Sequence, residues 1–95
     1  MYGGFCTMRM ELSDNVAWQE YDQIVYVFNE STKEVFLFAD SARDFFLSMI
    51  RHQNTGDIIL DLCQEYGSEN REMICSDLDI FVRDLENNGL IKKWE

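Results

Sequence analysis

Proline is absent from this 95-residue sequence, histidine occurs once, at His52, and glycine only five times. Basic residues are scarce too: 8 Lys and Arg stand against 18 Asp and Glu, for a formal net charge of −10. A field of that sign repels phosphate backbones, so nucleic-acid binding starts with a penalty. His52 falls in a predicted loop, with no Ser or Cys beside it that would suggest a nucleophile pair. No glycine-rich phosphate loop or metal-binding repeat occurs, so no cofactor or metal is expected. The three cysteines, Cys6, Cys63 and Cys75, cannot all pair within the chain, and no CxxC or Cys/His cluster accompanies them. That removes the usual zinc and redox motifs. Cys63 and Cys75 sit among apolar residues of predicted helices and read as buried free thiols, which fits a reducing, cytoplasmic setting. No apolar run approaches the roughly 20 residues of a membrane span, and no signal-peptide stretch opens the chain. Neither membrane nor nucleic acid is expected as a partner.

Hydrophobic residues make up 46% of the chain, enough for one packed domain with little room for an enclosed active site. Residues 1–15 read as a flexible or extended N-terminal arm, with a loose lead-in to residue 7 and a strand-like alternation of Met8, Met10 and Leu12. Residues 16–95 read as the single domain. Val16–Glu20 suits a half-buried strand and Tyr21-Asp22 a turn. Ile24–Phe28, β-branched and aromatic throughout, suits a strand covered on both faces. After the polar link Asn29–Lys33 comes a short third strand, Val35–Phe38.

At Ala39 the period turns helical. Asp40 or Ser41 can cap the first helix, and Ser41-x-x-Asp44 fits a capping box. Ala42, Phe45, Phe46, Met49 and Ile50 form its apolar stripe. Thr55 can cap the second helix, which Gly67 stops. A third helix spans about Asn70 to Asn88, with Ile74, Leu78, Phe81, Val82 and Leu85 facing the core. Leu90 and Ile91 return to the core, and Lys92 to Glu95 trail off. Strands followed by helices give an α+β domain, a three-stranded antiparallel sheet followed by three helices.

Asp77, Asp79, Asp84 and Glu86 read as a solvated acidic helix face, so catalysis is not expected. Two features point to binding instead. An antiparallel three-stranded sheet has two edges, and Val35–Phe38 has only Lys33 and Glu34 to blunt it. As an edge it would accept an extended peptide by backbone hydrogen bonding, or a second copy of the chain as a homodimer; as a central or helix-covered strand it would not. On the third helix, Met73, Asp77, Ile80 and Asp84 form a second line beside the core stripe. They either flank the core or line a groove where apolar side chains dock and cations meet the carboxylates. The net charge serves solubility on one reading and draws in cationic partners on the other.

Several short patterns follow one another. Tyr26-Val27-Phe28 leads through the hairpin Asn29–Lys33 to Glu34-Val35-Phe36-Leu37-Phe38. The junction Phe38-Ala39-Asp40-Ser41-Ala42 leads to the pair Phe45-Phe46, then to a helix ending in Glu65-Tyr66-Gly67. Last comes Asp77-Leu78-x-x-Phe81-x-x-x-Leu85, closing on Asn88-Gly89-Leu90-Ile91. In this order, from about Val16 to Ile91, the sequence resembles the PqqD-like family of RiPP recognition elements. It departs from the family at Phe38-Ala39, where Leu-Asn is usual, and at Arg51-His52-Gln53, where the first helix usually ends near Asp-Gly. The resemblance implies a winged-helix-like fold that binds the leader of a ribosomally made precursor peptide. The leader would add to Glu34, Val35, Phe36, Leu37 and Phe38 and lie against Asp77, Ile80, Phe81 and Asp84. It further implies a tailoring enzyme as second partner, a radical-SAM maturase or a leader-cleaving protease. The rival expectation is a regulatory or scaffold domain of the same fold that docks another protein.

Overall fold

The computed structural model describes residues 9–94. Residues 1–8 and 95, and with them Cys6 and the loose lead-in, lie outside the described residues. The alternation around Met10 makes a strand, β1 (Arg9–Leu12). After a turn come β2 (Val16–Tyr21), β3 (Ile24–Asn29) and β4 (Glu34–Phe38), an antiparallel meander in that spatial order. The β2–β3 link is only Asp22 and Gln23, with φ of 55° and 66°. Two consecutive left-handed residues match the twist of a tight hairpin. Three helices follow, α1 (Asp40–His52), α2 (Thr55–Tyr66) and α3 (Arg71–Asn87), with a 3-10 turn at Ser68–Asn70 before the last. The fold is α+β, with the helices on one face of the β2-β3-β4 sheet.

The chain does not trail off after Ile91. Ile91–Trp94 forms β5, antiparallel to β1, with Leu12 opposite Ile91 and Arg9 opposite Trp94. Its partner comes from the other end of the chain, so no local pattern in Lys92-Lys93-Trp94 could announce it. β1 also belongs to the packed body: Met10 is buried in the core, and its N–H donates to the Gln53 carbonyl at 3.1 Å.

The core lies between sheet and helices. Val25 and Val27 of β3 meet Phe46 and Met49 of α1, Ile58, Ile59 and Leu62 of α2, and Ile74, Leu78, Val82 and Leu85 of α3. The expected stripes of the first and third helices are thus buried, except that Ala42, Ile50 and Phe81 stay half-buried. Cys63 is buried and Cys75 half-buried, and neither is in a disulfide.

Four local expectations need correction. β3 is not covered on both faces: Val25, Val27 and Asn29 are buried, while Ile24, Tyr26 and Phe28 are only half-buried on an outer face that no other described layer covers. Apolar residues there lean on cross-strand neighbours, Phe28 on Val35 and Tyr26 on Leu37, and so imitate a sandwiched strand. β2 is mostly exposed, although its Trp18 ring meets Phe46 edge-on with centroids 5.5 Å apart. No capping box forms at α1, whose first turn has no side-chain cap. Asp44 instead accepts from the Tyr66 hydroxyl and pairs with Arg43 at 3.2 Å, tying α1 to α2. At α2 the cap is Asn54, one residue before the expected Thr55, accepting from the N–H groups of Gly56 and Asp57 at 2.9 and 3.3 Å.

Candidate peptide-binding groove

β4 is an edge strand. Among the described residues it pairs with β3 alone, so its other side carries backbone groups with no strand partner. Its side chains alternate as a strand requires. Phe36 and Phe38 turn toward the helices and are half-buried. Val35 and Leu37 point to the outer face, 55% and 58% exposed, and Glu34 is exposed at the start of the strand.

α3 supplies the facing wall, and Phe81 is its joint with the rest. The Phe81 ring lies edge-on to Phe38 and Phe45, with centroids 5.3 and 5.9 Å away. On the β4 side a cleft of about 330 Å³ is lined by Phe36, Phe38, Leu85, Asn88 and Leu90. On the α1 side a hollow of about 230 Å³ is lined by Ser41, Phe45, Asp77 and Ile80. Ala42, Phe81 and Asp84 line both, so the two form one groove that follows α3 from Asp77 to Asn88.

The structure therefore brings Phe36, Phe38, Asp77, Ile80, Phe81 and Asp84 to one groove. It places Val35 and Leu37 on the opposite sheet face, where only their backbone can serve the edge. Met73 and Ile80 are both exposed, at 56% and 55%, so neither is a flanking core residue. Ile80 lines the groove, whereas Met73 lies outside its lining. Asp77 and Asp84 are exposed and have no ion-pair partner among the described residues. Arg83, the nearest base in sequence, is turned to Asp79 instead.

One residue that the sequence reading leaves in a loop holds the groove's mouth. Asn29 is 2% exposed. Its Oδ1 accepts from Asn15 Nδ2 and Ser31 N, each at 2.9 Å, and from Thr32 N at 3.2 Å. Its Nδ2 donates to the Asn88 carbonyl at 3.1 Å, fixing the end of α3 beside the β3–β4 hairpin. The signal was present, since Val25, Val27 and Asn29 alternate onto one face, and Asn favours bonds to nearby turn backbone.

His52 ends α1 rather than lying in a loop, and Ser48 stands one turn before it. Asp61 Oδ2 accepts from the Ser48 hydroxyl at 2.7 Å and from Arg51 at 2.8 Å, with His52 Nε2 3.5 Å away. The serine is thus bonded to the carboxylate and not to the imidazole, unlike a nucleophile–base pair. Among the described residues no group of His, Cys, Asp and Glu is placed to hold a metal, and no helix is long and apolar enough to cross a membrane.

The groove is suited to an extended chain. Such a chain can continue the sheet along the free side of β4 by backbone hydrogen bonds, while alternate side chains drop toward Phe36, Phe38 and Phe81. No protein-family model and no curated protein matches this sequence. A solved structure of TbiB1 in complex with the TbiA(beta) leader peptide does match it, with a TM-score of 0.79 over 86% of this chain and 94% of that one. The fold is shared with TbiB1. Sequence identity to TbiB1 is 24%, so the likeness is one of architecture.

Proposed function

We propose that this domain is a leader-peptide recognition element, binding an extended segment of a ribosomally made precursor by strand addition to β4. The observation that carries the reading is the unpaired side of β4 running beside an apolar groove along α3. The shared fold with TbiB1, a protein solved with a leader peptide bound, supports it. Backbone groups of Glu34–Phe38 supply pairing and register. Phe36, Phe38, Ile80 and Phe81 receive apolar side chains, and Asp77 and Asp84 form a polar rim. Met73, beyond the groove lining, touches only a longer ligand. The domain performs no chemistry and holds no cofactor. It presents the rest of the precursor to a tailoring enzyme, such as a radical-SAM maturase or a leader-cleaving protease. A second copy pairing edge to edge through β4 would compete with the leader for the same backbone groups.

The test is a titration of the full chain with the leader of a precursor peptide encoded beside its gene. Saturable binding that weakens on Phe81→Ala, measured where that variant remains folded, is expected. Failure of every neighbouring leader to bind the folded protein would overturn the proposal. Docking of a folded partner would instead use the flat outer face around Tyr21, Tyr26 and Leu37. Charged substitutions at Tyr21 or Leu37 would then abolish binding, whereas strand addition leaves it nearly unchanged.

A further inference from the structure

The groove's charge is as informative as its shape. Asp77 and Asp84 stand seven residues apart on α3, with Ile80 and Phe81 between them. Two helical turns separate these carboxylates by about 10.5 Å along the axis. An extended chain rises about 3.3 Å per residue and turns alternate side chains to opposite faces, so the groove-facing ligand positions that bracket this distance are four residues apart, about 13 Å, with one groove-facing position between them. The nearby bases are engaged elsewhere, Arg83 with Asp79, and Arg43 with Glu20 and Asp44. No lysine or arginine lines either part of the groove. The groove therefore offers an apolar floor flanked by two unneutralised carboxylates, in a chain of net charge −10.

We infer that the site selects segments carrying Lys or Arg four positions apart, with a large apolar residue midway between them on the same face of the strand. The inference rests on the strand-addition reading and names the ligand class within it. The apolar residue fills the space against Phe81, and the flanking cations meet Asp77 and Asp84. An acidic segment of equal apolar content is rejected, because its charges would face two like charges with no counter-ion in the groove. Both ion pairs lie at a solvent-exposed rim, so their effect is modest and fades with salt.

The experiment is fluorescence anisotropy with the labelled leader of the neighbouring precursor and the full-length protein, from about 50 to about 500 mM salt. The double variant Asp77→Asn, Asp84→Asn is compared with Glu65→Gln, Glu72→Gln, which removes the same charge away from the groove. The groove variant should bind about three- to tenfold more weakly at low salt and lose most of its salt dependence. The control should stay within about twofold of wild type. Replacing the leader's own basic residues by Met should weaken wild-type binding but leave the groove variant nearly indifferent. Leader binding that is insensitive to salt and to the groove substitutions overturns the inference and leaves strand addition standing. Equal losses in the control show a general field and also overturn it. No leader binding to wild type removes both.

Discussion

Asn29 shows how one side chain can set the shape of a site it does not line. From its buried place it makes four hydrogen bonds, joining the β1–β2 turn, the β3–β4 hairpin and the end of α3, and an apolar replacement removes all four. Asn29→Ala should therefore cost about 2–4 kcal/mol, more than a surface amide would, because the bonds of a buried amide that ties three segments together are lost at once. Urea unfolding would read the loss, and a change below about 0.5 kcal/mol would show that the network is dispensable. Tyr66 has a different dependence. Its hydrogen bond to Asp44, then desolvation and the charge of Asp44, push its pKa from 10.0 up to about 12. The folded state thus holds the phenol proton more tightly than the unfolded chain does. The resulting stabilisation is fully present below pH 10 and is lost as pH rises toward about 12. The stability advantage of wild type over Tyr66→Phe should be constant to pH 10 and shrink above it, as unfolding midpoints at pH 8 and pH 11 would show. A gap that stays constant would mean that the bond does not persist in solution.

At the scale of elements, α3 separates packing from recognition between adjacent residues. Leu78 is fully buried against the core, whereas Asp77 is exposed on the groove. Leu78→Ala should destabilise the domain by about 2–5 kcal/mol. Asp77→Lys should leave stability within about 0.5 kcal/mol while weakening a cationic peptide. Thermal melts paired with binding curves separate the two, and a reversal of the effects would mean that the helix is rotated from the face described. This division was legible in the sequence, because period 3.6 marks Ile74, Leu78, Val82 and Leu85 without reference to any partner. The edge status of β4 was not, because strand order depends on which distant segments pair, and Val35–Phe38 reads equally well as central. β5 was hidden for the same reason. The outward turn of Val35 and Leu37 follows from alternation once register is known. The apolar outer side of β3 hid this by resembling a second buried face. The caps are not legible because neighbouring side chains compete for the same N–H groups: Asn54 rather than Thr55 accepts them at α2, and Asp44 is engaged by Tyr66 instead.

For the whole molecule, two sheet faces and one edge divide the work. The inner face of the β2-β3-β4 sheet packs the core. The outer face presents Ala17, Gln19, Tyr21, Ile24, Tyr26, Phe28, Val35 and Leu37, with no charged side chain among them. The free side of β4 lies where that sheet meets the groove. The strong negative charge resides on the remaining surface and on the groove rim, where it speeds encounter with a cationic segment. The central claim is that a peptide extends this sheet, and amide hydrogen exchange across β4 tests it most directly. With leader bound, alternate amides of Glu34–Phe38 should exchange much more slowly than in the free protein, while the outer strand β2 changes little. Saturated leader binding with no added protection on β4 would contradict strand addition.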